Sequence, residues 1–307
     1  MIPHTSWTLD TLVERYKQHQ RRTRGLRDQT LHGYERLIRL LVRASLGDDP
    51  IDPTRFTPSD VVKFVASMTG RFSPRSMKTV RSALRSFFRY LRVEGLCDEQ
   101  LEAAIPTVAH WRLSSLPRYL TDQQLEQVLA SFNASTPGRD RDHAIVLCLS
   151  TMGLRPREVA DLRLEDIDWR AGVIQLRARK NHRDAALPLP RKAGRAIVTY
   201  LRGQRPVTDE RRVFVQHRGA HRGQPISSNA VSAVVVRALQ RAHVEAPLAG
   251  AYVLRHTVAT RLVRQGASLK EVADFLGHRC LNTATIYAKV DLPALREVAL
   301  PWPEVTP

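Results

Sequence analysis

Apolar positions recur along the first third of the chain every three to four residues, the repeat of an α-helix that buries one face. Leu9, Leu12, Val13 and Tyr16 set that period between Thr8 and Gln20. Leu31, Tyr34, Leu37, Ile38 and Leu41 repeat it between Asp28, read as an N-cap, and Ala44. Val61, Val62, Phe64 and Val65 follow Pro58-Ser59-Asp60. Met77, Val80, Leu84, Phe87, Phe88 and Leu91 follow Ser73-Pro74, where proline suits the first helical position. The pattern predicts four helices. It breaks at Ile105-Pro106, Ser114-Ser115 and Pro117, which read as a linker. Thr121 then caps a helix from Asp122 to Phe132. Short runs at Val173–Arg177 and Ala185–Leu189, on either side of a polar turn from Lys180 to Asp184, predict two strands. Helical periodicity returns near 191–202, 227–242, 251–265, 268–276 and 282–289. The expected fold is mainly α with a small β-sheet (α+β). It comprises a helical domain over 1–105, a linker over 106–119, a second domain over 120–290 and a tail over 291–307.

Length and charge narrow the function. A chain of 307 residues fits two cores better than one. Lys and Arg number 48 against 30 Asp and Glu, a formal net charge of +18. An excess of that size points to a polyanion, nucleic acid ahead of a membrane surface. The fourth helix gives the charge a place: Lys78, Arg81, Arg85, Arg89 and Arg92 recur beside its apolar stripe. No acidic residue lies between Lys78 and Arg92, so pairs within the helix do not account for the ridge, and contact with DNA phosphates does. No apolar run approaches the ~20 residues of a membrane span, and residues 1–10 show no signal-peptide pattern. Cys97, Cys148 and Cys280 are scattered and odd in number, with neither zinc spacing nor a disulfide framework. The expectation is a reduced, cytoplasmic protein. The sequence has no glycine-rich phosphate loop and no acidic metal cluster.

Four short segments of the second domain carry candidate chemistry. Gly153-Leu154-Arg155-Pro156-Arg157-Glu158-Val159 ends one helix and starts another, placing Arg155 at a helix mouth, near open backbone N–H groups that suit an anion. Lys180 lies on the turn between the two strands. Tyr252-Val253-Leu254-Arg255-His256 opens a helix whose core side is Leu254, Val258, Leu262 and Val263, with Arg255 at the margin of that stripe. Leu276-Gly277-His278 precedes Thr283-Ala284-Thr285-Ile286-Tyr287. Taken singly, these are ordinary surface arginines and a solvated turn lysine.

Taken together, the set resembles the tyrosine recombinase, or phage integrase, family, especially its short Xer-type members. The family pattern G-L-R-x-x-E-[LV] is matched by Gly153 to Val159. H-x-L-R-H-[TS]-x-A-[TS] is matched from Leu254 to Thr260, and L-G-H by Leu276 to His278. The family tyrosine stands nine positions after that histidine (278 to 287), the second arginine 23 before it (255 to 278), and the hairpin lysine eight before a proline (180 to 188). The resemblance spans residues 8 to 290. It implies a SAM-like core-binding domain and a catalytic domain forming a C-shaped clamp on duplex DNA.

It also implies roles. Arg155 and Arg255 would neutralise the non-bridging oxygens of a phosphodiester, a task for planar and permanently charged donors. His278 would hydrogen-bond the same phosphate and help take the phenol proton. Tyr287 would attack phosphorus to leave a 3′-phosphotyrosyl link, and Lys180 would protonate the departing 5′-oxygen. Glu158 either props the arginine or is an exposed first-turn carboxylate. His256 reads as a structural donor. One position departs from the pattern: Tyr252 stands where the family has His. Two readings stay open. A phenol can donate a neutral hydrogen bond to the phosphate, or it can pack as an apolar group and leave the phosphate to Arg155, Arg255 and His278.

The implied activity is site-specific DNA recombination without ATP or metal, with integration, excision, transposition and dimer resolution as possible outcomes. The implied partners are double-stranded DNA with an inverted-repeat core site, further copies of the chain in a tetramer, and other recombinases. The apolar tail, with Leu292, Leu295, Val298, Leu300 and Trp302, would dock on a neighbouring protomer, as the resemblance implies, or pack on its own domain. The rival readings are a type IB topoisomerase and a catalytically weak DNA-binding, architectural partner in a recombinase complex.

Overall fold

The computed structural model describes residues 7–97, 100–107, 116–133, 136, 138–177, 184–248, 250–278 and 283–290. It divides the chain into two compact units, 1–112 and 113–307. No helix among the described residues is long and apolar enough to cross a membrane.

The first unit holds α1 (Leu9–Arg24), α2 (Asp28–Leu46), α3 (Pro58–Met68), α4 (Pro74–Val93) and the short α5 (Gln100–Ala103). Local chemistry sets their starts. Thr8 caps α1, and Ser73 caps α4 ahead of Pro74. Thr57 and Asp60 form a reciprocal capping box on α3. Asp28 is the first residue of α2 rather than its cap, a position held by Arg27. Its carboxylate pairs with Arg21 of α1 at 3.0 Å instead. Leu12, Tyr16, Ile38, Leu41, Val80, Leu84, Phe87 and Phe88 are buried together. Tyr16 meets Phe87 edge-on with ring centroids 5.7 Å apart, and its hydroxyl donates to Ser86 Oγ at 2.9 Å. Aromatic edges plus a satisfied hydroxyl give this small core directional contacts as well as area.

The second unit is built around α7 (Arg139–Met152), in which Ala144 through Ser150 are all buried. A helix buried on every side needs cover all round. Here α6 (Asp122–Ala130), α8 (Pro156–Asp161), α9 (Arg191–Gly203), α10 (Ser228–Arg241) and α11 (Tyr252–Arg264) supply it. A three-stranded antiparallel sheet runs in the order β1 (Ile167–Asp168), β2 (Val173–Leu176), β3 (Ala185–Pro188), with Ile174 opposite both Ile167 and Leu187. Strand β1 has two residues, too few for the period-2 alternation that marked the other two. The β2–β3 turn, with Lys180, lies outside the described residues, as does the tail 291–307. α12 (Leu269–Leu276) and a 3-10 helix, Thr285–Val290, complete the unit; the latter stands where an α-helix was expected.

The entry of the chain into this unit is fastened to α11. The N–H of Leu120 donates to Thr257 Oγ1 at 2.9 Å, Arg264 donates to the Tyr119 hydroxyl at 2.6 Å, and Arg261 pairs with Asp122.

Candidate active site

Two left-handed turns organise the site. α7 ends at Gly153 (φ 62°) and α12 ends at Gly277 (φ 61°), both in backbone conformations that favour glycine. At Gly153 a second constraint applies. A Cβ there would lie 2.7 Å from Leu276 Cδ2 and 3.3 Å from Val258 Cγ1, so the two helix ends approach as closely as they do because position 153 has no side chain. The approach aims three helix-end carbonyls at two guanidinium groups. Arg255 donates from Nη1 to Gly153 O at 2.6 Å and from Nη2 to Leu276 O at 2.5 Å. Arg155 donates from Nη2 to Gly277 O at 2.9 Å and from Nη1 to Glu158 Oε1 at 2.7 Å. Carbonyls at a helix C-terminus lack partners within the helix and carry partial negative charge, so cations are favoured there. Each planar fork is thereby fixed in orientation before any ligand arrives.

This geometry corrects three expectations. Arg255 is not at the margin of its helix stripe but only 5% exposed, tolerated there because its donors meet carbonyls. Glu158 is not a solvated first-turn residue: it grips both the guanidinium and, through Oε2, the backbone N–H of Arg155 at 2.8 Å. The N–H of Arg155 is therefore already bonded within its own helix start and is not a free donor for an anion.

Tyr287 sits on the 3-10 helix, 2% exposed, in a cluster with Ala259, Val263, Leu276 and Ala284. Burial pushes its phenol up to about 12, with the nearby Arg255 acting in the opposite direction, so the hydroxyl is neutral near pH 7. Its oxygen lies 2.9 Å from Nδ1 of His256. The sequence reading gave His256 only a structural role, because nothing in its spacing announces a contact with a residue 31 positions on.

His278 follows Gly277 and is held by a bond from its backbone N–H to Ala273 O at 2.8 Å. Its Nδ1 is buried and has no hydrogen-bond partner among the described residues. Burial first, then the charges of Arg255 and Arg155, lower this ring to about 4, so it too is neutral near pH 7. Tyr252 opens α11 and is 51% exposed; it does not pack as an apolar group.

In the first unit, Lys78 and Arg85 of the α4 ridge are exposed and Arg81 is half-buried. Arg89 is engaged by Glu102 of α5, Nη2 to Oε1 at 2.5 Å, with Arg92 Nη1 3.9 Å from the other oxygen. Ion pairing thus does account for part of the ridge. The carboxylate comes from the following helix, where a search within α4 does not look.

Comparison with known proteins gives the family of the chain. The Phage integrase family model matches residues 118–292, and the model of the phage integrase N-terminal SAM-like domain matches residues 13–95. The integrase/recombinase y4rA of Sinorhizobium fredii is 39% identical over 302 residues, covering 98% of this chain and 73% of that protein. Tyrosine recombinase XerD of Listeria monocytogenes is 30% identical over 285 residues, covering 90% of this chain and 92% of its own. In fold, the chain is similar to the XerH site-specific recombinase in a post-cleavage complex on its palindromic difH substrate, with TM-score 0.70 at 21% identity over 94% of this chain and 83% of that one. The chain belongs to the phage integrase family of tyrosine recombinases.

Proposed function

We propose that the chain is a site-specific recombinase that cuts and rejoins duplex DNA by passing a phosphoryl group to and from Tyr287. The observation that carries this reading is the meeting of Arg155, Arg255, His278 and Tyr287 at the ends of α7 and α12. There the guanidinium planes are set by backbone carbonyls, and both arginines act electrostatically on His278. Preorganised cations of this kind stabilise the charge that builds on phosphorus oxygens during in-line attack, commonly the largest catalytic contribution. Tyr287 replaces the 5′-oxygen on phosphorus and keeps the 3′-phosphate as an ester. Lys180 protonates the departing oxygen. A 5′-hydroxyl from the partner strand then reverses the step, so the energy of the broken bond is retained in the protein–DNA link and no nucleotide is consumed.

The basic first unit grips the same duplex, with Lys78 and Arg85 exposed on the α4 ridge and clear of the Glu102 ion pairs, and the +18 net charge suits that substrate. We take the working form to be a tetramer on paired inverted-repeat sites. The test uses nicked suicide duplexes built on inverted repeats sought in the DNA around the gene. Wild type should form a covalent adduct and Tyr287→Phe should form none. An adduct that persists in Tyr287→Phe overturns the nucleophile assignment, and tight binding without any adduct in wild type overturns the enzymatic reading.

A further inference from the structure

Tyr252 and His256 are four residues apart on α11, one turn of the same face. The exposed first turn carries a phenol, and the imidazole lies about 6 Å further along the helix axis. At that depth His256 meets Tyr287: Nδ1 to Oη is 2.9 Å, and the rings are tilted by 56° with centroids 5.7 Å apart. His278 has no such contact with the phenol; its Nδ1 is the buried nitrogen without a hydrogen-bond partner among the described residues. The two imidazoles therefore hold different positions, one on the nucleophilic oxygen and one beside the arginine pair. A neutral phenol can donate and an unprotonated imidazole nitrogen can accept, so a bond in which Oη donates to Nδ1 requires the ring hydrogen to be on Nε2.

We propose that His256 is a catalytic residue of this recombinase: it orients the Tyr287 hydroxyl and accepts its proton as the oxygen attacks phosphorus. The proposal rests on the recombinase reading above and divides the histidine work differently from the sequence expectation, with His256 on the phenol and His278 on the phosphate. The step balances. The Oη–P bond forms while the P–O5′ bond breaks; the phenol proton passes to Nδ1 of His256, and the departing 5′-oxygen takes a proton from Lys180. In the return step the 5′-hydroxyl gives its proton to Lys180, the Oη–P bond breaks, and His256 returns its proton to the phenolate. A tyrosine at 252 is compatible with this chemistry, because the proton acceptor stands one turn deeper.

The experiment compares His256→Ala and His256→Gln with wild type in single-turnover cleavage of the suicide duplex. Thermal unfolding and DNA binding confirm that each variant folds and binds. Loss of a general base should slow adduct formation about 10²–10³-fold. The deciding arm replaces Tyr287 by a ring-fluorinated tyrosine, whose phenol gives up its proton more readily. Fluorination should recover at least about tenfold of the rate lost in His256→Ala and should recover little in Arg155→Ala. Equal fluorine effects in wild type and His256→Ala, or an unslowed His256→Ala, would overturn the proposal. A third measurement needs no DNA: the ¹⁹F resonance of the fluorinated residue should move on His256→Ala, and an unmoved resonance denies the contact. If wild type forms no adduct while the resonance does move, the recombinase reading has failed rather than the contact. The catalytic role then falls with that reading.

Discussion

The carbonyl oxygen of Gly153 accepts a 2.6 Å hydrogen bond from Nη1 of Arg255, 102 residues later in the chain. The bond exists because Leu276 lies where a side chain on residue 153 would be. Gly153→Ala brings a methyl group to 2.7 Å from Leu276 Cδ2 and strains a φ of 62°. Overpacking of this kind costs about 1–3 kcal/mol. The variant is expected to lose that much stability in urea denaturation and, because the helix ends must part, to cleave at least about tenfold more slowly.

Arg255→Lys is expected to be destabilising as well as inactive. A lysine keeps the charge but loses the planar fork that meets Gly153 O and Leu276 O together. One buried carbonyl left without a donor costs about 1–3 kcal/mol. Arg155→Lys occupies a less buried position and should lose cleavage with a smaller fall in stability. Paired denaturation and cleavage assays of the two variants separate these outcomes.

Two half-buried imidazoles are expected to make the fold acid-sensitive. Burial, together with Arg255, Arg155 and His256, lowers His278 to about 4. Burial lowers His217 to about 4 as well, with Arg141, Arg218 and Arg222 adding to the effect and Asp142 opposing it. In the unfolded chain each ring takes up a proton near its ordinary value of about 6.5. Their contribution to stability is therefore complete above about pH 6.5 and declines as pH falls from about 6.5 toward 4. Denaturation midpoints at about pH 7.5 and 5 should differ in wild type and differ less in His217→Gln/His278→Gln. Equal wild-type midpoints would contradict the expectation.

Glu102 restrains Arg89 on the basic ridge of α4. Glu102→Gln should release that charge for a DNA phosphate. Binding should tighten at low salt, and the slope of log affinity against log salt should steepen by about one counterion. An unchanged slope places Arg89 away from the DNA.

Tyr252 is exposed at the start of α11 and can present its hydroxyl to a phosphate. If it donates one hydrogen bond there, Tyr252→Phe should slow cleavage by about tenfold, the effect of roughly 1–1.5 kcal/mol. Tyr252→His should cleave at least as fast as wild type. Wild-type rates in Tyr252→Phe would show the phenol to be a bystander.

Much of the site was legible because its chemistry depends on residue type and interval, and Arg155, Arg255, His278 and Tyr287 keep both. The helices of the first unit were legible because each buries a single stripe. What stayed hidden were pairings across the chain. Nothing in the neighbourhood of Arg89 names Glu102, and nothing near His256 names Tyr287. The burial of Arg255 was hidden for a related reason. Charge argues for the surface, and only the carbonyls of Gly153 and Leu276 reverse that argument. Strand β1 was too short to show a period, and Gly153 read as a plain helix end although its space is claimed by Leu276.

The bonds that tie Tyr119, Leu120 and Asp122 to Arg264, Thr257 and Arg261 have a mechanical consequence. Tension on the chain ahead of Tyr119 is borne by a rod rather than absorbed in a slack loop, and that rod also carries Arg255 and His256. A pull on that segment would load the helix whose first turn holds both side chains.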